Sequence, residues 1–322
     1  MVPSRQHPIA ERLMPRFSGE DTFMKLPRYR SENPTSIIVA GAPFDGGTTY
    51  RPGARMGPKA LRHASWGLYP YHRQRAFFLT ERTSVSDAGD LFVNPMSVEN
   101  SLESIVNALD ALPIGTRVLL LGGDHSISLA PLRVIRQKSG PLALIHLDAH
   151  TDMWDEFWGS RYNHATVIRR SVDEQLIDPA HSIQIGIRGS LDNSSEDHYG
   201  EELGITQIST DHWMDRGTSW VLQQIHSRVG RRPAYISCDI DVVDPAYAPG
   251  TGTPEAGGPT SHMVLSVLRG LHCHVLGADV VELAPDLDLT GNSALFAASL
   301  AYELLFCMTA DDDSGILNKE MT

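Results

Sequence analysis

The stretch Leu142-Ala-Leu-Ile-His-Leu-Asp-Ala-His-Thr-Asp152 decides the fold. Its first half is a short, mostly apolar run, the signature of a strand buried on both faces of a parallel sheet. Its second half places Asp148, His150 and Asp152 at alternate positions. On an extended segment, period two would point all three to one side. The construction recurs in Ala234-Tyr-Ile-Ser-Cys-Asp239, which runs on into Ile240-Asp241. A third apolar run, Arg117-Val-Leu-Leu-Leu-Gly-Gly, leads to Asp124 and His125.

Working outward, Ser36-Ile-Ile-Val-Ala-Gly, Ile183-Gln-Ile-Gly-Ile-Arg and Val275-Leu-Gly-Ala-Asp-Val-Val-Glu also read as strands. Helical spacing of apolar residues appears over 98–112, 129–138, 220–228, 262–271 and 293–309. Apolar strands alternating with helices predict an α/β fold, three layers α-β-α around a mainly parallel central sheet. No linker interrupts the pattern. One domain is expected over 31–310, with a polar N-terminal arm at 1–30 and a C-terminal tail at 311–322. Every candidate ligand falls at the C-terminal end of a strand, where open α/β sheets carry their sites.

The bulk composition narrows the class. A formal net charge of −12 argues against nucleic acid and suits a cationic small molecule. No apolar run approaches the ~20 residues of a membrane span, and the N-terminus lacks the apolar core of a signal peptide. Three cysteines, Cys238, Cys273 and Cys307, form no even framework, so reduced thiols and a cytoplasmic location are expected. Cys238 reads as a small buried hydrophobe, with no activating base beside it.

His125, Asp148, His150, Asp152, Asp239 and Asp241 are six groups on three strand ends. Oxygen ligands with a minority of imidazole suit a pair of divalent first-row ions, manganese first, with nickel or cobalt as alternatives. Two dipositive ions balance four carboxylates, which would otherwise repel one another and take up protons. Two such ions activate water for hydrolysis. Cysteine-based zinc sites and a Walker phosphate loop are both absent from the pattern.

These residues lie in motifs that resemble the ureohydrolases, the family of arginases, agmatinases and guanidino-acid amidinohydrolases. The motifs are Gly122-Gly-Asp-His-Ser, Leu147-Asp-Ala-His-Thr-Asp and the run from Ser237 through Asp241 to Glu255. Pro43-Phe-Asp-Gly-Gly-Thr-Thr-Tyr-Arg-Pro-Gly-Ala-Arg and the early Pro15-Arg-Phe-Ser-Gly are similar to the agmatinase, guanidinobutyrase and proclavaminate amidinohydrolase branch. The resemblance implies an arginase-like fold and hydrolysis of a guanidino compound to urea and an amine. It implies one metal on His125, Asp148, Asp152 and Asp239, and another on Asp148, His150, Asp239 and Asp241. Asp148 and Asp239 would bridge. It makes His164 a proton shuttle, gives Glu282 a grip on the guanidinium, and counts Asp152 with them in the catalytic set. It further implies a homo-oligomer, trimer or hexamer. The chain departs from the family at Ala165, where relatives carry glycine, and at Leu283-Ala284. The other eleven of the fourteen histidines sit in no motif and read as ordinary.

Met153-Trp-Asp-Glu-Phe-Trp-Gly-Ser-Arg-Tyr-Asn-His164 follows the ligand run and is expected to border the cleft. Trp154, Arg161 and Asn163 are candidate substrate contacts beside Glu282, Arg161 serving an anionic tail. His63-Ala-Ser-Trp-Gly-Leu-Tyr-Pro-Tyr-His72 is a candidate second wall. Two substrate readings follow. The first is a linear guanidino compound, a guanidino acid or agmatine. The second is a compact or alkylated guanidine, such as free guanidine or a biguanide like metformin, with nickel or a partner subunit in play. A single-zinc amidohydrolase of the histone-deacetylase type and a non-catalytic subunit are the readings from other classes. The complete six-ligand set argues against both.

Overall fold

Strands β1 (Ile37–Ala42), β4 (Val85–Asp90), β5 (Arg117–Gly122), β6 (Ala143–Leu147), β7 (Ile183–Ile187), β8 (Thr206–Ser209), β9 (Pro233–Asp239) and β10 (His274–Val281) form one sheet. Between β1 and β4, a two-residue hairpin pairs β2 (Tyr71–His72) with β3 (Phe77–Phe78). The sheet order is β4-β1-β5-β10-β9-β6-β7-β8, every pairing parallel. These are the features of a computed structural model that describes residues 15–191 and 195–309. The tail expected at 311–322 lies outside the described residues.

Alternation along the strands builds two cores. In β1, Ile37 and Val39 join one buried cluster while Ile38 and Ala40 join the other. The first cluster is closed by helices at Gly57–Ala64, Thr218–Val229, Ser261–Gly270 and Asn292–Cys307. The second is closed by helices at Val98–Asp110, Leu129–Ser139 and Val167–Asp173. This is the expected three-layer α-β-α arrangement.

Two sheet strands escaped the sequence pattern, β4 and β8, and they are the two edges of the sheet. An edge strand is covered on fewer sides, so it lacks a continuous apolar run. Val85-Ser-Asp-Ala-Gly-Asp and Thr206-Gln-Ile-Ser accordingly carry few large apolar side chains. Residues 15–30 are not a detached arm. Phe23 is fully buried, and its N–H donates to Asp87 Oδ2 at 2.7 Å. The same carboxylate receives Arg62 Nε at 2.8 Å and Nη2 at 3.0 Å, which ties this segment to β4.

The four central strands position the site. β5 and β6 are consecutive in the chain, yet β10 and β9 lie between them. The crevice above this switch in strand order is where α/β sheets bind ligands.

Candidate metal centre and catalytic cavity

Each candidate ligand is positioned by local chemistry at its strand end. After β5 the chain must pass close to the turn that follows β1. A Cβ on Gly123 would stand 2.1 Å from the Phe44 carbonyl oxygen, and one on Gly122 would stand 2.6 Å from Val281. Only glycine fits both places, which accounts for the Gly-Gly pair. Asp124 then caps the short helical turn His125–Ser128, accepting from Ser126 N at 3.0 Å and from Gly47 N at 2.7 Å. Burial, with Glu282 nearby, pushes the Asp124 carboxyl up to about 7.

The alternating ligands converge by a different route from the one expected. The segments after β6 and β9 are folded, not extended. Asp148 Oδ1 accepts from His150 N at 2.6 Å, and Asp239 Oδ1 accepts from Asp241 N at 2.9 Å. In each case the first carboxylate bends back onto the amide two residues later, as short aspartate side chains readily do. The turn occupies one lone pair of each Oδ1 and leaves each Oδ2 facing the centre. Asp152 then takes a left-handed backbone, φ 53°, and Glu282 another, φ 64°. Strain of this kind in non-glycine residues collects at functional sites.

Two donor sets result. His125 Nδ1 lies 3.0 Å from Asp152 Oδ2, 3.2 Å from Asp148 Oδ2 and 3.3 Å from Asp239 Oδ2. His150 Nδ1 lies 3.1 Å from Asp241 Oδ2 and 3.4 Å from Asp148 Oδ1. Asp148 thus offers one oxygen to each set. Asp239 stands with the first set only, so its shared role is not displayed in this geometry.

The donors fit divalent cations. His125 Nε2 lies 2.8 Å from Ser237 Oγ, and Ser237 donates its own proton to Asp279 Oδ1 at 2.7 Å. The serine oxygen therefore accepts from Nε2–H, leaving the lone pair on Nδ1, among the three carboxylates. His125 Nδ1 and Asp148 Oδ2 are buried without an aligned hydrogen-bond partner. The electrostatics agree. Burial and the charges of Asp241 and Asp148 push Asp239 well above the carboxylate range. Burial disfavours a charged His125, but the surrounding carboxylates outweigh it and hold its pKa well above the usual value. A site that gathers protons this strongly is one that a cation would occupy.

His164 closes the cavity above the centre. It is buried, with Nδ1 3.0 Å from Glu282 Oε1. Its Nε2 accepts from Thr49 N at 3.0 Å and lies 2.7 Å from Thr49 Oγ1. Its proton therefore rests on Nδ1, against Glu282. Burial opposes a charged ring, and the charge of Glu282 overrides it, so the pKa is raised. Glu282 Oε1 also accepts from His125 N at 2.8 Å, whereas Oε2 is buried and unpartnered.

The cavity in front measures about 490 Å³, and Trp154, Phe157, Ala165, Leu191, Asp211 and Glu255 are among its lining residues. Three expected contacts lie elsewhere. Arg161 is exposed and pairs with Asp155 at 3.6 Å and Asp173 at 3.5 Å, outside the lining. Asn163 is buried and structural, its Oδ1 accepting from Ala165 N and its Nδ2 donating to Ser160 O, both at 3.0 Å. Trp66, from the candidate second wall, lies under the Lys25 ammonium, 3.5 Å from ring centre to Nζ, and lines a different cavity.

Comparison with known proteins settles the lineage. The Arginase family matches residues 35–307. The chain belongs to the arginase family. Within it, guanidinopropionase from Pseudomonas aeruginosa is 39% identical, the match covering 94% of this chain and 96% of that one. Proclavaminate amidinohydrolase from Streptomyces clavuligerus is 39% identical, and its solved structure superposes with a TM-score of 0.88 over 92% of this chain and 99% of its own. The mitochondrial agmatinase of Gallus gallus is 37% identical over 89% of this chain and 85% of its own. Membership makes this chain an enzyme of the ureohydrolase class, one that cleaves C–N bonds of guanidino compounds to urea and an amine.

Sequence reading passed over several residues of this family site. His146, taken as ordinary, is buried with Nε2 2.9 Å from Asp148 Oδ2. A histidine inside an otherwise apolar strand was the available signal. Glu255 stands 3.8 Å from His150 Nε2. Arg188 reaches the cavity from the end of β7. Its guanidinium is spent on the backbone carbonyls of Gly186, Asp241, Val242, Val243 and Glu255.

Proposed function

We propose that the two donor sets hold a pair of divalent ions, manganese in preference to nickel or cobalt. The ligands would be His125, Asp148, Asp152 and Asp239 for one, and Asp148, His150, Asp239 and Asp241 for the other. When bound, such a pair lowers the pKa of water and orients it toward the guanidinium carbon. The supporting observation is the sharing of Asp148, one oxygen facing each histidine.

The chain's own groups supply the rest. Glu282 Oε2, buried and without a partner, is the acceptor for the planar guanidinium, which matches a carboxylate with two charge-assisted bonds. His164 takes up a proton from water at Nε2 by way of the Thr49 hydroxyl, 2.7 Å away, giving up the bond that Nε2 accepts from Thr49 N, and returns it to the departing amine nitrogen. Its raised pKa favours the uptake, and Nδ1 stays paired to Glu282 throughout. Trp154 and Phe157 exclude water and receive the tail.

The substrate is a linear guanidino compound with an uncharged or cationic tail. A cavity of about 490 Å³ falls in the usual range for small-molecule sites and far exceeds what free guanidine fills. Among the described lining residues the one arginine, Arg188, has its donors committed, while Asp211 and Glu255 carry negative charge. The relatives named for guanidino acids favour an acidic tail, and this lining does not. The tail must meet this lining, whose free charges are negative. We also place the enzyme in the cytoplasm as a homo-oligomer, a trimer or hexamer. Its three cysteines, buried and in no disulfide, and exposed apolar side chains such as Phe92 and Ile114 support that reading.

The test is urea release from agmatine, 4-guanidinobutyrate, 3-guanidinopropionate, free guanidine and metformin, after separate reconstitution with manganese and nickel. Agmatine should exceed both guanidino acids. A guanidino acid as the best substrate would overturn the tail assignment, and free guanidine as the best would overturn the need for a tail.

A further inference from the structure

Behind the metal centre a line of buried side chains crosses the sheet from its edge. Gln207 on β8 donates from Nε2 to Gln184 Oε1 on β7 at 3.0 Å. Gln184 Nε2 lies 2.7 Å from the Thr151 carbonyl oxygen and 3.1 Å from His146 Nδ1 on β6. His146 Nε2 in turn lies 2.9 Å from Asp148 Oδ2, the oxygen that faces His125. Gln184, His146 and Asp148 are completely buried.

By position alone, His146 is a candidate fourth donor, since it clusters with His125, Asp148 and Asp152. The hydrogen bonds decide otherwise. The Thr151 carbonyl can only accept, so the Gln184 group facing it is the amide NH₂. Gln207 donating to the other side agrees with that orientation. The second amide hydrogen of Gln184 then points at His146 Nδ1, which must carry the lone pair. Neutral His146 therefore bears its proton on Nε2, toward Asp148, where a metal would need a lone pair.

We propose that His146 is a positioning residue and not a ligand. The Gln207–Gln184–His146 line fixes the ring with Nε2–H beside Asp148 Oδ2 but off the line of a hydrogen bond with it, so that the polarity of this N–H orients the carboxylate shared by both donor sets. Gln184 acts twice, since its bond to the Thr151 carbonyl also pins the residue preceding the left-handed Asp152. The inference rests on the two-metal reading above. It adds that metal affinity is set partly from the far edge of the sheet, more than one strand away from any ligand.

The experiment is zinc titration of the full chain with its variants, joined to ¹⁵N-histidine NMR of the zinc-loaded protein. Wild type should bind two zinc ions per chain, with His146 showing a protonated Nε2 and an acceptor Nδ1. His146→Ala and Gln184→Leu should each weaken zinc binding about 10- to 100-fold, the usual cost of removing a group that orients a ligand. His146→Gln, which keeps a donor near the same place, should stay within about threefold of wild type. Gln207→Ala, at the partly exposed edge, tests the line without opening the core and should weaken binding roughly threefold. Fewer than two zinc ions in the wild type would overturn the metal reading itself. Two ions in the wild type, with unchanged affinity in all the variants, would overturn the positioning role alone. An unprotonated, zinc-bound His146 Nε2 would make it a ligand and overturn the proposal.

Discussion

The floor of the cavity and its rim are built on opposite plans. On the floor, His125 is 1% exposed and each of its ring nitrogens has a set task, one facing Ser237 and one facing three carboxylates. Its neighbours come from the ends of β5, β6, β9 and β10, strands covered by both cores. At the rim, Leu191 is 45% exposed and Asp211 is exposed, and beyond the lining Arg161 pairs with other surface charges. His150 lies between the two, its side chain 32% exposed. The floor's groups are buried and held by hydrogen bonds, so its chemistry does not depend on the substrate's tail. The rim can change residue by residue without disturbing the sheet, so selection among guanidino compounds belongs there.

The largest effect should come from the floor. Asp148→Ala removes the carboxylate that the two donor sets share, so both metals and all turnover should be lost together. Metal analysis on the purified variant, read beside urea release, checks this. A variant that retains two metals and activity would show that Asp239 alone suffices as the shared ligand, and the distinction between a rigid floor and a tolerant rim would weaken.

How far each region was legible in the sequence follows the same division. The floor was readable because buried strands leave long apolar runs and ligands sit at their ends. Even there the geometry was misjudged. Alternation along Asp148, His150 and Asp152 suggested an extended comb, yet the aspartates bend back onto amides two residues later, a local hydrogen bond that spacing does not reveal. Gln184 and Ser237 were invisible because their roles arise from contacts across strands, while His146 left only its polarity within an apolar strand as a signal. At the rim, Trp154 was found by its nearness to the ligand run, but the same argument chose Arg161 and Asn163, which turn away. Adjacency in sequence predicts facing direction only on regular elements, and residues 153–163 form none long enough.

His164 stands at the junction of floor and rim, and its replacement should be the next largest effect. His164→Ala leaves every proposed metal ligand in place, so two metals should remain bound. Turnover should fall by about 10²- to 10⁴-fold, the usual contribution of a placed acid or base. Loss of metal along with turnover would assign His164 to the architecture of the centre instead of to proton transfer.

A smaller change is expected from the rim. Asp211 is exposed, so solvent screens it, and an exposed charge pair contributes no more than about 1 kcal/mol. Asp211→Asn should therefore raise KM for agmatine by roughly fivefold or less, leaving kcat unchanged. KM for 4-guanidinobutyrate should hold or fall, since a repelling charge has gone. A fall in kcat for both substrates would mean that Asp211 acts on the floor and that the two regions are coupled.

Arg161→Ala should have the smallest effect, and for that reason it tests the division most directly. Sequence position makes Arg161 the natural partner for a carboxylate tail. In the fold its guanidinium is directed to Asp155 and Asp173, which Arg170 also contacts at 2.6 and 2.9 Å. Its side chain is 60% exposed, so the pairing adds little to stability. KM for agmatine and for both guanidino acids should stay at the wild-type value, and the melting temperature should barely move. A KM that rises for the guanidino acids alone would mean that Arg161 leaves its surface partners and swings over the cavity when an anionic tail arrives. The rim would then be a mobile selector that recruits a cation, and the case for an uncharged or cationic tail would fall with it.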